Sequence, residues 1–365
     1  MDLESVTSSN LSGTTEATSV STPTIGGKES VDAPPTSHEG DQQNKKPWIR
    51  YRIEYRDNLT DQILYESESK DANTVHVARV VERPPFEEVK TFKVTPWRGE
   101  SPDEALPANT GATVPSLCVR ILSPAIINAL QSVVKYYPDQ NLTGNIVEVR
   151  YPYPILAHHY DQLAKFAEEC EKKDKESLCV REIDAASHLR LLLGYLDDTV
   201  MEAVRAEQER NRRGFYTFEG FWVGHKPGRT TLQSTIEDED IRRAVVHSIR
   251  GGTFVHPHQD WYVTYWSFAY DGTSLGRVMS SVKTTRKFDG EKKMTEDVFL
   301  LVGDGEKIDC AEEHRDLVDG YIREGEAYWG LLKKQCKYYN GKSRSFPYNK
   351  VNMASRTTVL NANHR

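Results

Sequence analysis

One stretch constrains the fold more than any other. Residues 181–228 read REIDAASHLRLLLGYLDDTVMEAVRAEQERNRRGFYTFEGFWVGHKPG. Ala186, Leu189, Leu193, Leu196, Val200 and Val204 keep a three-four spacing, which predicts an amphipathic helix of about five turns with one stripe to bury. Gly194 interrupts it at a cost of ~1 kcal/mol relative to Ala, which predicts close packing by a neighbour there. Arg210, Arg212 and Arg213 complement the helix dipole at its end, and Gly214 suits the left-handed cap. The aromatic run 215–223 then predicts a strand, closed by the turn His225-Lys226-Pro227-Gly228. A helix this long, between strand-rich segments, is the expected spine of an α+β fold.

The segments around it supply the strands. In Ile49-Arg50-Tyr51-Arg52-Ile53-Glu54-Tyr55-Arg56 the period of two puts Ile49, Tyr51, Ile53 and Tyr55 on one sheet face and the charges on the other. Residues 63–65 pair back after the turn at Asp57-Asn58, and further strands are expected over 75–81 and 89–94. The Pro- and Gly-rich loop 96–115 marks a possible subdomain boundary. After a short strand at 117–122, Ser123-Pro124 caps and opens a helix carrying Ile127, Leu130, Val134 and Tyr137, stopped by Pro138. A strand at 146–151 leads to a second helix with Tyr160, Leu163, Phe166, Ala167 and Cys170 on one face. Residues 261–270 and 277–287 form a hairpin about Asp271-Gly272, the strongest strand signal in the chain. A strand at 298–302, a helix from about 311, and strands at 337–339 and 351–360 complete a body over 47–365. The predicted class is α+β: mixed, mainly antiparallel sheets with the middle helices packed on them.

Composition narrows the partners. Residues 1–46 hold fifteen Ser or Thr and no aromatic residue, so they cannot bury enough apolar surface to offset ordering and are read as a disordered tail. A net charge of −7 without a basic block disfavours nucleic acid and anionic membrane. No apolar run is long enough for a membrane span, and no secretory or mitochondrial leader is evident. Five cysteines, an odd number without a C-x-x-C pair, suit reduced thiols in an intracellular protein, cytoplasmic or nuclear.

Few motifs carry chemistry. Gly224-His225-Lys226-Pro227-Gly228-Arg229-Thr230 approaches a phosphate loop, but it has the wrong spacing, Arg for Lys, and a proline that removes an amide. Gly272-Thr273-Ser274-Leu275-Gly276 matches the nucleophile-elbow pattern, but lies between two strands, where the glycines serve a hairpin. His256-Pro257-His258-Gln259-Asp260 places His256, His258 and Asp260 on one face of an extended segment. With His314 as a distant ligand, this is the donor set of a non-haem iron oxygenase, Arg323 serving as carboxylate binder. A metallohydrolase is the other metal reading, but Trp261 stands where such sites carry a further His. The plain alternative is a polar loop between strands. His158-His159 and His188 fall on helices as packed or surface residues, and the acidic run 237–240 lacks calcium-loop spacing.

The order of several motifs resembles a known family. These are Tyr151-Pro152-Tyr153-Pro154-Ile155-Leu156-Ala157-His158-His159, the long helix to Arg213, and residues 218–228 with Trp222 and Pro227-Gly228. They continue with the Tyr-rich strand into Asp271-Gly272, Arg323-Glu324-Gly325-Glu326-Ala327-Tyr328, Lys337-Tyr338-Tyr339-Asn340-Gly341 and the segment 351–359. Together they resemble a fungal domain of unknown function that precedes the catalytic module of certain AAA-type ATPases, over residues 48–365. The resemblance implies an accessory region that recognises protein partners, an ATPase module or its substrate. It transfers no catalytic residue and no cofactor, since that family's nucleotide site lies beyond the segment matched. The expected function is therefore a non-catalytic interaction domain, with the metal-dependent enzyme as the alternative.

Overall fold

In β1 (Ile49–Asp57) the alternation is realised as a strand whose two faces are both covered at its centre. The computed structural model describes residues 47–68, 83–95, 114–173, 179, 181–234, 241–270, 274–294, 299–304, 307–308, 315–331, 343–345 and 349–351. Outside these fall the tail 1–46, the strand expected at 75–81, the loop 96–113, the acidic run, His314, and the strands expected at 337–339 and 352–360. After β1 come β2 (Ile63–Glu68), β3 (Phe86–Val94), β4 (Ser116–Ile121), helix α1 (Pro124–Val133) and β5 (Val147–Arg150). These strands make one sheet in the order β2-β1-β3-β4-β5, parallel only between β1 and β3.

One face of this sheet presents Ile53, Phe86, Val119, Ile121, Val147 and Val149, all buried, to the helices. The opposite face holds an ion-pair grid. Glu54 and Glu87 are buried there. Glu54 accepts from Arg56 at 2.6 Å and Arg120 at 3.0 Å, and Glu87 accepts from Arg50 at 3.0 Å. Burial by itself would raise the Glu54 pKa, but the hydrogen bonds from Arg56 and Arg120 outweigh it and hold the carboxyl below its ordinary value.

Helix α1 begins as expected. The Ser123 hydroxyl accepts from the Ile126 amide at 3.3 Å and bonds His188 Nδ1 at 2.8 Å, joining the cap to the long helix. It ends a turn early: Val134 leaves in an extended conformation. The run Val133-Val134-Lys135-Tyr136-Tyr137 has weak helix propensity, and Pro138 bars the helical conformation in the residue before it. Then follow α2 (Pro154–His158), α3 (Tyr160–Lys172) and α4 (Ala185–Leu196), a π-helical turn (Asp197–Met201), and α5 (Glu202–Arg212). The last three are the expected spine. Leu189, Leu192, Leu196, Val200 and Val204 are buried along it, and each fully buried Leu contributes about 1.5–3 kcal/mol. Gly214 takes the left-handed cap, at φ 79°. Gly194 corrects the reading from sequence: a Cβ there would meet nothing within 4 Å. It faces open space and makes no close contact.

The aromatic run 215–223 is a second correction. Only β6 (Phe215–Thr217) is strand, and after a turn the chain forms the one-turn helix α6 (Phe221–Gly224). The Thr217 hydroxyl accepts from the Gly220 amide at 3.0 Å, which bends the chain at that point.

The remaining elements are β7 (Arg229–Ser234), β8 (Ile241–Gly251), a 3-10 turn (Gly252–Phe254), β9 (Trp261–Tyr270), β10 (Leu275–Thr285), β11 (Glu291–Lys293), β12 (Phe299–Asp304), β13 (Lys307–Ile308), α7 (Arg315–Leu331), β14 (Ser343–Ser345) and β15 (Asn349–Val351). A second sheet, wholly antiparallel, has the order β10-β9-β8-β7-β12-β13, and β6 pairs with β11. The hairpin predicted from residues 261–287 is its edge, with Leu275 opposite Tyr270. Phe86 and Val119 of the first sheet, Leu189 and Leu196 of the spine, and Val246, Trp261 and Val263 of the second share one continuous core. The fold is α+β.

Candidate functional site

The π-helical turn in the spine opens onto two clefts. Such a turn widens the helix and frees carbonyls from the usual ladder. Here the Thr199 hydroxyl takes one, donating to the Tyr195 carbonyl at 2.7 Å. Thr199 lines both clefts.

The first cleft, about 810 Å³, lies between the spine and β1 and β3. Ile49, Tyr51, Glu88 and Lys90 come from the sheet, and Arg190, Leu191, Gly194, Tyr195 and Asp198 from the helix. Missing side-chain volume at Gly194 helps keep it open. Its floor is a hydrogen-bonded chain: Tyr153 and Tyr195 hydroxyls meet at 2.8 Å, and Tyr195 donates to Glu88 at 2.8 Å. Burial, with Tyr153 and Glu88 beside it, pushes the Tyr195 hydroxyl far above its ordinary pKa, so it remains a donor. Tyr153 anchors this chain from a left-handed backbone conformation, φ 61°, which costs a tyrosine about 1–2 kcal/mol. Lys90 Nζ lies 3.8 Å from Glu88, and Arg190 pairs with Glu171.

The second cleft, about 530 Å³, lies where α5 meets the turn before α6. Pro152, Val200, Ala203, Val204, Trp222 and Val223 make its apolar walls. Glu207 forms the polar base, although only 2% exposed. One carboxylate oxygen accepts from the Thr217 amide at 2.8 Å, and the other from the Thr217 hydroxyl at 2.9 Å and Arg210 at 2.9 Å. Arg210 also donates to Glu291 at 2.6 Å. Gly220 must be glycine for this arrangement, since a Cβ would lie 2.3 Å from the Glu207 carboxyl carbon. Behind the wall, the His158 ring nitrogens meet the Tyr137 hydroxyl and the Trp222 carbonyl, each at 3.2 Å. Burial pushes the His158 pKa well below its ordinary value.

The proposed metal ligands are only partly gathered. His256 and His258 sit on an exposed loop with ring centroids 6.1 Å apart, edge to face. Asp260 follows, its carbonyl accepting from the Gly252 amide at 3.3 Å. Among the described residues no group of three or more His, Cys, Asp or Glu is placed to hold a metal ion. His314 is not among those residues, and Arg323 is exposed on α7. His258 instead lines the second cleft.

The phosphate-like turn is built inward. His225 is buried, donates from Nδ1 to the Phe221 carbonyl at 2.8 Å, and stacks on the Phe221 ring at 4.0 Å. Burial pushes its pKa down to about 4. The Gly228 amide donates to the Val246 carbonyl at 2.8 Å, so it serves the second sheet. Gly276 lies in β10 opposite Ala269, within the hairpin and not at a strand-to-helix elbow.

Sequence reading missed both clefts. Glu207 carried a usable signal: it occupies the next place in the apolar stripe after Val200 and Val204, where a carboxylate must be paired. No comparable signal marks the Tyr153–Tyr195–Glu88 chain, whose members come from three separate elements.

Residues 206–296 match a family described as a domain of unknown function, DUF7025. No curated protein matches the chain, and no solved structure does. The matched segment begins at the end of the spine and includes Glu207, Arg210, Thr217, Gly220, Trp222 and His258 of the second cleft. Every residue lining the first cleft lies before it. Among the described residues, no helix is long and apolar enough to cross a membrane.

Proposed function

We propose that this chain is a non-catalytic protein-interaction module, of the accessory kind that its motif order resembles beside AAA-type ATPases. The odd number of cysteines suits an intracellular setting, cytoplasmic or nuclear. The reading rests above all on the second cleft. The segment with a recognised family supplies ten of the sixteen residues that line it, including the whole polar base, which is locked by internal hydrogen bonds. A recess held this way is preformed and offers shape and charge to a partner at little ordering cost. Its carboxylate is committed to Thr217 and Arg210, which suits a structural base better than proton transfer.

The test is a binding titration of the purified full chain against an AAA-type ATPase module of the family resembled, with ATP hydrolysis followed in parallel. The expected result is a complex whose affinity falls when Ala203 on the cleft wall becomes Arg, and no hydrolysis by the chain alone. Hydrolysis by the chain, abolished by substituting Lys226 or Arg229, would overturn the reading.

A further inference from the structure

We infer that the second cleft takes a lysine or arginine side chain from a partner polypeptide, an inference that rests on the interaction reading above. Three observations point to a long cation. The walls are apolar, from Pro152, Ala203, Val204 and Trp222, and match the methylene stem of a basic side chain. The charges lining the cleft are Glu207, Glu219 and Arg210, leaving an acidic excess. Arg210 and Glu207 are paired with each other, so the carboxylate left to meet a ligand is that of the exposed Glu219. Finally, the half-exposed Tyr151 is among the lining residues, and an aromatic ring there is a favourable neighbour for a cation.

Other occupants fit less well. An acidic side chain would meet the exposed Glu219 carboxylate with the nearest guanidinium, Arg210, already engaged. A purely apolar one would displace water from the Glu219 carboxylate and return no hydrogen bond. A basic side chain buries its stem on the wall and restores a charge-assisted bond at the rim.

The probe is a set of N-acetylated, C-amidated pentapeptides, Gly-Ala-X-Ala-Gly, with X as Lys, Arg, norleucine or Glu. Binding to the full chain is read by NMR chemical-shift changes, with the Trp222 indole as a reporter. The Lys and Arg peptides should bind at least about tenfold more tightly than the norleucine and Glu peptides, the factor expected of one charge-assisted contact. Glu219→Gln should remove most of that preference, and Ala203→Arg should abolish binding. Both positions are exposed, and thermal unfolding checks that each variant folds. Equal binding of the norleucine peptide, or a preference that survives Glu219→Gln, overturns the inference. So does an ATPase-module complex unaffected by Glu219→Gln, which leaves the interaction reading intact. Loss of that complex in the wild-type chain would instead undo the broader reading.

Discussion

The two clefts share Thr199 but are built on opposite principles. The first is larger and lined by charges of both signs, and its floor is a chain of hydroxyls ending on Glu88, beside Lys90. The second is smaller, and its base is one carboxylate held by a backbone amide, a hydroxyl and a guanidinium. The first depends on a glycine that leaves room. The second depends on a glycine that yields room to Glu207. Gly194 is open and Gly220 is crowded by Glu207, and the crowded glycine lies in the matched family segment.

The largest expected effect breaks the second cleft alone. Gly220→Ala forces a methyl group into the Glu207 carboxylate, which three hydrogen bonds prevent from moving aside. Displacing a buried carboxylate from its partners costs about 3 kcal/mol or more. Denaturant unfolding should show that loss, and the pentapeptide binding should vanish with it. A Gly220→Ala protein of unchanged midpoint would mean that Glu207 is not held as described.

Acid should separate the regions by pH. His225 is neutral when folded, with its pKa depressed from 6.5 to about 4. Its contribution is full above the unfolded value and is lost as pH falls from 6.5 towards 4; the shift corresponds to about 3 kcal/mol. The grid on the first sheet responds later. Glu54 is held below its ordinary 4.5, so its contribution persists above that value and is lost only as pH falls below it. Stability should therefore begin to fall below pH 6.5, and because His158 and His188 are depressed as well, His225→Gln should make that first limb shallower without removing it, while leaving the later one. Urea midpoints measured across pH 7 to 3 would decide it, and a single limb beginning near pH 4.5 would break the proposed order.

This contrast also marks what could be read in advance. The period of two in β1 and the three-four stripe of the spine are local patterns, and both were legible because one covalent segment carries each. The two clefts were not, since Tyr153, Tyr195 and Glu88 meet only after three elements pack. The alternating charges of β1 were legible as a face, but not as a buried grid, because Glu87 and Arg120 arrive from other strands. The run 215–223 looked like one strand because its aromatics suit a sheet; the hydrogen bond from Gly220 to Thr217 that bends it is invisible to hydropathy.

A smaller effect belongs to the first cleft. Tyr195→Phe removes the hydroxyl linking Tyr153 to Glu88 and leaves both without that partner, at a cost of about 1–3 kcal/mol. Peptide binding in the second cleft should be unchanged, because Tyr195 does not line it and is linked to it only through the hydrogen bond from Thr199 to its carbonyl. If Tyr195→Phe weakened that binding severalfold, the π-helical turn would be coupling the clefts, and they would have to be treated as one site.

The smallest effect has the opposite sign. Gly194 lies in the interior of α4 with open space where its side chain would be, and its φ is not in the left-handed region. Alanine therefore meets no neighbour and gains helix propensity, stabilising the chain by about 0.5–1 kcal/mol. The same methyl group intrudes into the first cleft, so any ligand bound there should be weakened while the protein itself becomes more stable. Thermal unfolding of Gly194→Ala tests this directly, because a glycine under a closely packed neighbour would make the substitution destabilising. A raised midpoint would fix the first cleft as open space kept at a cost in helix stability, the reverse of Gly220, where the missing side chain is filled by Glu207.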